Sequence, residues 1–193
     1  MSRLPKVFEV PVLPIRNAVV FPVLAFPINV GRKYSIGAVE EASERNNLLA
    51  IFSQKNQSEV PDEEDLYEIG SVVRIIKKTK MPENKLSIVY QGLSRIRLKS
   101  FTNTGTALMA TVERIDDESV EDLTDECKEI RELAQKVFEL SPTVSNDTSF
   151  LVRQTEDPDR LADIIIINLN IENEEKQELL ETIDVQERLE KVH

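Results

Sequence analysis

Very little in this chain could make or break a covalent bond. Its 193 residues include one histidine, one cysteine and five glycines. A phosphate-binding loop needs two glycines five positions apart, then Lys and Ser or Thr. No pair among Gly31, Gly37, Gly70, Gly92 and Gly105 has that spacing, and none fits a dinucleotide fingerprint. A Ser-His-Asp triad needs a histidine as base, and the one present, His193, is the final residue. One Cys and one His cannot build a zinc site. Cys127 has Glu126 and Glu129 close in sequence. Acidic neighbours raise a thiol's pKa and blunt its reactivity, so core packing is its expected role. Carboxylates cluster at Glu40-Glu41, Asp62 to Asp65, Asp116 to Glu118 and Glu172 to Glu175. Such runs belong to solvated loops and helix caps, and none singles out an acid–base pair. A serine–lysine pair would need a serine on a glycine-lined elbow, and no serine has that setting. No catalytic, cofactor-binding or metal-ligating residue is assigned. A binding or adaptor role is the expectation.

Composition agrees with a folded binder. Hydrophobic residues make up 40% and charged residues 31% of the chain, enough apolar content for a core. The net charge of -11 repels polyanions. Basic residues do gather at Arg74, Lys77, Lys78 and Lys80, then at Arg95, Arg97 and Lys99. They read as solvent-facing strand positions, and nucleic acid is not an expected partner. A single thiol fits a reducing compartment. Met1 to Val10 has no apolar run of signal-peptide length, and the longest apolar stretch, Leu48 to Phe52, cannot span a bilayer. A soluble, cytoplasmic protein without a membrane partner is expected.

The elements that would position any site fall into two halves. Residues 1–116 hold all five glycines and most of the β-branched alternation, whereas residues 117–193 hold no glycine and show helical periodicity. In the first half, Phe8 to Leu13, Ala18 to Phe21, Phe26 to Val30 and Leu48 to Ser53 read as strands. Ser35 to Ser43 reads as a helix, with Ser35 as its N-cap. Gln54 to Leu66 reads as a polar loop. Gly70 to Lys80 and Lys85 to Lys99 form a hairpin around Met81-Pro82-Glu83-Asn84, with a bulge at Gly92. Thr106 to Ile115 is the last strand. One helix among about six short strands predicts a small curled sheet or pseudo-barrel.

In the second half, Val120, Leu123, Cys127, Ile130, Ala134 and Val137 are spaced alternately three and four residues apart. That seam predicts one long amphipathic helix, widened by Leu133, Phe138 and Leu140 for packing in a bundle. Ser141-Pro142 should stop it. Asp157-Pro158 opens another helix, with Asp157 as cap, carrying Leu161, Ala162, Ile164, Ile165 and Leu169. Glu174 to Ile183 is a third. A fourth starts near Asp184 with Val185, Leu189 and Val192, and its pattern lacks a stop signal. The natural chain is expected to continue. The fold class is α+β, a β-rich domain over 1–116 and an all-α subdomain over 117–193.

The sequence also resembles a known family. Pro11 to Pro22 (PVLPIRNAVVFP) resembles the opening block of the Lon protease N-domain, as do Val30-Gly31-Arg32 and Ser35 to Ala42. Asp65 to Ile75 (DLYEIGSVVRI) is similar to its central block, and Gln91 to Arg95 to its hairpin block. Asp157 to Asp163, Glu174 to Thr182 and Asp184 to Leu189 resemble its helical subdomain. The blocks are collinear and cover nearly the whole chain. The resemblance implies a PUA-like pseudo-barrel followed by a helical bundle. It also implies a homo-hexameric parent that uses ATP and Mg to unfold and degrade damaged and regulatory proteins. The family's ATP-binding loop and Ser-Lys dyad would lie beyond residue 193, so this piece is expected to be non-enzymatic and free of cofactors.

On that reading, the chain recognises unfolded or damaged protein clients and contacts other subunits of the hexamer. A receptor for exposed apolar segments needs an apolar patch of its own. The candidates are Val23, Leu24 and Phe26 in and beside a proline-led connection, and Met81 with Pro82 at the hairpin tip. The competing reading makes Leu24 and Phe26 plain core residues. Two rivals to the whole are a stand-alone Lon-like substrate-binding protein and a PUA-type RNA-binding module.

Overall fold

A computed structural model of the chain describes residues 4–116, 124–140 and 144–192. The chain divides into two compact units, Met1–Asp116 and Asp117–His193.

Among the described residues, the first unit holds six strands and one helix: β1 (Val7–Ile15), β2 (Ala25–Val30), α1 (Lys33–Glu44), β3 (Leu48–Ser53), β4 (Ile69–Lys80), β5 (Leu86–Asn103) and β6 (Leu108–Arg114). The sheet order is β2-β5-β4-β3-β1-β6, and β6 pairs back onto β5. Five strands therefore close a ring, with β2 added outside it. The length of β5 makes this possible. Its 18 residues pair with β2 and β4 along the first part, then with β4 and β6 along the second. β1 and β3 are parallel. Parallel neighbours require a long crossover, here supplied by β2 and α1.

β3 is buried along its whole length, as expected of a strand covered on both faces. Leu48, Ala50 and Phe52 join Val10, Val12, Val72, Ile96 and Leu108 in one core cluster. Leu49 and Ile51 join Leu13, Val73, Ile88 and Tyr90 in the other, together with Ala38, Val39 and Ala42 of α1. Each fully buried Val, Leu or Ile contributes about 1.5–3 kcal/mol.

The hairpin, its turn and the bulge are present. Glu83 and Asn84 take φ of 60° and 55°. The β4–β5 register slips where Val72 faces Ser94 and Val73 faces Gly92. Three readings need correction. Ala18 to Phe21 forms no strand; side-chain hydroxyls take the place of a ladder there. Ser53 Oγ donates to the Ala18 carbonyl at 2.9 Å, and Ser71 Oγ to the Val20 carbonyl at 2.6 Å. Ser35 caps nothing: α1 starts two residues earlier, with Arg32 at the N-cap, and Ser35 is buried inside it. The Arg32 guanidinium is anchored instead, donating to the Gln54 side chain and the Pro14 carbonyl. β5 also runs on past Lys99 to Asn103.

The second unit holds α2 (Thr124–Leu140), α3 (Asn146–Gln154), α4 (Pro158–Asn168), α5 (Asn173–Glu181) and α6 (Val185–Val192). Val120, Leu123, Ser141 and Pro142 lie outside the described residues, as does the side chain of Leu140. Cys127, Ile130, Ala134 and Phe138 of α2 are buried, while Val137 is 45% exposed. The buried positions from Cys127 to Phe138 thus step by three, four and four residues, which departs from the heptad repeat of a two-stranded coiled coil. Asp157 caps α4 by accepting from the Arg160 N–H at 3.0 Å, with Pro158 in the first turn. α3 is an element the periodicity did not announce, capped by Ser145. α4 is the centre: Leu161, Ala162, Asp163, Ile164, Ile165 and Ile166 are all 2% exposed or less. The fully buried Arg188 of α6 reaches it, bonding Asp163 at 3.3 Å and Asp159. Its Nε and Nη2 donate to the Thr182 and Ile183 carbonyls at 2.8 and 3.0 Å.

Candidate functional site

The apolar candidates fall into two groups, and the strand register separates them. Phe26 faces Tyr90 and Val30 faces Leu86, while Leu86 also faces Lys80 just before the turn. Leu24 and Met81 therefore sit toward opposite ends of the β2–β5–β4 ribbon. Six residues of strand separate Leu24 from Val30, roughly 20 Å.

At the Leu24 end, the connection before β2 is tightly held. Gly92 lies directly beneath it: a Cβ there would come within 2.5 Å of Pro22 and Val23 backbone atoms. The Gly92 N–H donates to the Leu24 carbonyl at 3.0 Å, and the Arg95 guanidinium lies 5.9 Å from the Phe21 ring centre. Val23 is 2% exposed, so its side chain is part of the interior. Leu24 is half-buried and holds a φ of 63°, a conformation costly for a residue with a branched side chain. Phe26 is half-buried, packed on the core together with Ile28 and Ile36.

At the other end, Met81 is 39% exposed and Pro82 is exposed. Met81 lines a groove of about 630 Å³ between the hairpin tip and the first turns of α1. Ile36 and Leu86 form its apolar floor, and Lys33, Glu40, Lys80 and Lys85 add charge. Glu83 is paired with Lys85 at 2.6 Å. α1 is fixed by a close approach. A Cβ at Gly37 would lie 1.9 Å from the Thr106 carbonyl oxygen, so only glycine lets the helix seat there. The α1 wall of this groove, Lys33, Ile36 and Glu40, was not among the sequence candidates. Its only sequence signal is the position of Ile36 on the helix flank, one residue ahead of the glycine.

The titratable groups describe packing. Burial pushes Tyr90 up to about 12 and also raises Cys127, with Arg131 opposing and Glu126 adding a smaller rise. Among the described residues, no three His, Cys, Asp or Glu side chains gather as a metal site, and no helix is long and apolar enough to cross a membrane. The arrangement suits contact with a partner: an open groove with an apolar floor and a charged rim.

Residues 9–193 match the family model described as the ATP-dependent protease La (LON) substrate-binding domain. The chain belongs to the Lon substrate-binding domain family. It is 39% identical over 184 residues to a Lon protease of Dictyoglomus thermophilum, covering 94% of this chain and 23% of that protein. It is 35% identical to Lon protease 2 of Bdellovibrio bacteriovorus, covering 100% of this chain and 25% of that protein. The chain thus spans about a quarter of the length of these relatives. Among solved structures, the N-terminal domain of a Mycobacterium avium complex Lon protease superposes with a TM-score of 0.80 at 22% identity, covering 96% of each chain. A Lon N-terminal domain protein from Xanthomonas campestris gives 0.67 at 16% identity, again with 96% of each chain covered. These two likenesses establish the α+β fold.

Proposed function

We propose that this chain captures unfolded or damaged protein clients for a Lon-type ATP-dependent protease and itself makes and breaks no bonds. The match of residues 9–193 to a substrate-binding domain carries the reading. The groove beside Met81 supports it, because a misfolded client differs from a folded protein in the apolar surface it exposes. Leu24, Phe26, Met81 and Pro82 are the proposed contacts, with the buried Val23 anchoring the connection that carries Leu24. Each apolar contact contributes about 1.5–3 kcal/mol at most, and ordering a flexible client offsets part of that. Binding by one copy is weak, and several copies in a hexamer strengthen it by avidity. In this reading residues 1–116 are a PUA-like client-binding domain. The helices of 117–193 lead toward an ATPase module in a cytoplasmic parent that uses ATP and Mg.

The test is binding of permanently unfolded, carboxymethylated α-lactalbumin to the 193-residue chain, by fluorescence anisotropy. Met81→Asp and Leu24→Asp should each weaken it while the circular dichroism spectrum stays unchanged. Unchanged affinity in both folded variants rejects these contacts. No binding by the parent sequence rejects client capture altogether.

A further inference from the structure

The ribbon made by β2, β5 and β4 has two outer edges, and they are built differently. On β2, the Gly92–Leu24 hydrogen bond and the one-to-one register with β5 fix which groups face outward. Leu24, Phe26, Ile28 and Val30 bond toward β5, so Ala25, Pro27 and Asn29 face away. Pro27 has no N–H to offer, which stops that edge at its middle.

On β4, Met81 donates its N–H to the Lys85 carbonyl at 2.8 Å. The register Lys77 to Val89, Lys78 to Ile88, Thr79 to Ser87 and Lys80 to Leu86 is unbroken. Lys77, Thr79 and Met81 therefore bond toward β5, and the backbones of Lys78 and Lys80 face outward. β3 pairs with β4 only at Ser71 to Arg74, and the Ile75 N–H reaches the Asn47 carbonyl at 2.8 Å. Among the described residues, nothing pairs with β4 beyond that point, and residues 76–80 are all exposed. The open stretch starts at a bulge between Ile75 and Lys77. It is bracketed by two exposed apolar side chains, Ile76 at 57% and Met81 at 39%. Among the described residues, Lys77, Lys78 and Lys80 have no ion-pair partner.

We infer that the free edge of β4 from Ile76 to Met81 takes an extended, acidic polypeptide segment as an added strand. Only a polypeptide backbone supplies the alternating donors and acceptors that such an edge lacks. The three lysines select the occupant by charge, in a chain that is otherwise strongly acidic. They also disfavour a second copy, whose own β4 would set lysines against lysines. A polyanion without a peptide backbone would meet the lysines alone and leave the edge unpaired. Ile76 and Met81 give the segment an apolar contact at each end. This rests on the client-capture reading and specifies the shape and charge of what is captured.

The experiment uses the 193-residue chain and three labelled peptides. One alternates Glu and Val, one alternates Lys and Val, and one is the Glu–Val peptide methylated on alternate backbone nitrogens. The Glu–Val peptide should bind, more tightly as salt falls. The Lys–Val and N-methylated peptides should each bind about tenfold more weakly or worse. Lys78→Pro removes the outward N–H and should weaken Glu–Val binding about tenfold beyond the charge-only control Lys78→Gln. If Lys78→Pro does not fold, the N-methylated peptide reads the same hydrogen bond from the other side. Equal binding of the Glu–Val and Lys–Val peptides overturns the inference. So does indifference to N-methylation, or tighter binding of oligothymidylate that displaces the Glu–Val peptide. If unfolded α-lactalbumin binds and the Glu–Val peptide does not, the edge is wrong and client capture stands. If neither binds, both fall.

Discussion

The two units of this chain are held together in opposite ways. Residues 1–116 spread their stability over a closed ring of ladders and two apolar clusters, so no single side chain dominates. The helical unit concentrates it, with α4 buried almost all round and one arginine joining α6 to α4 and to the carbonyls before α6. The difference teaches where each can be broken. A closed sheet is vulnerable where backbones come too close for a side chain. A small helical assembly is vulnerable where a buried charge loses its partner.

The largest expected effect is therefore in the helical unit. Arg188→Ala removes the buried guanidinium that bonds Asp163, 1% exposed, and removing one partner of a buried pair costs about 3–5 kcal/mol. Hydrogen exchange should show α4 and α6 opening while β3 and β4 stay protected. Loss of protection in both units together would break the contrast. Gly37→Ala is the matching test of the ring. A methyl group 1.9 Å from the Thr106 oxygen forces α1 off its seat, and overpacking of this kind costs about 1–3 kcal/mol. The protection pattern should be the reverse of that for Arg188→Ala.

Alkaline pH gives a gentler separation. Tyr90 holds its proton to about 12 in the folded unit, whereas an exposed tyrosine titrates near about 10. The unfolded chain therefore releases that proton first as pH rises. The contribution of Tyr90 to stability is complete below about 10 and is lost progressively from there toward 12. Absorbance at the phenolate band should show a component that titrates late, and Tyr90→Phe should remove it. The smallest effect is local. Leu24→Gly relieves the left-handed backbone and forfeits some packing, so stability should shift by no more than about 1 kcal/mol. Leu24→Val, β-branched in the same conformation, should cost more.

Much of this fold could be read from local chemistry. The Met81 to Asn84 turn, the slip at Gly92 and the Asp157-Pro158 start are each dictated by residues within a few positions, and each is present. What escaped depended on partners distant in sequence. Ala18 to Phe21 is a short apolar run that suits a strand, but its Ala18 and Val20 carbonyls are claimed by Ser53 and Ser71. Ser35 has the chemistry of a cap, yet Arg32 is tethered to Pro14 and Gln54 and starts the helix earlier. Val137 fits a seam of period 3.5, but Phe138 takes the buried place, so the buried face does not keep the heptad. For the candidate site, residue type marked apolar positions near both ends of the ribbon but not their exposure. Val23 is covered and Met81 is open. The lysines of β4 were visible in sequence, but which of its backbone groups face outward was not, because that is a property of strand pairing.

The pairing of β1 with β6 fixes an order of events during synthesis. Within this unit the first strand to be made is the one that seals the ring, and its partner is the last. The β4–β5 hairpin joins neighbours in sequence and can form early. β1 has to wait with an unpaired side until residue 114 has been made, and for that interval the newborn chain presents the same kind of open strand that aggregation begins from.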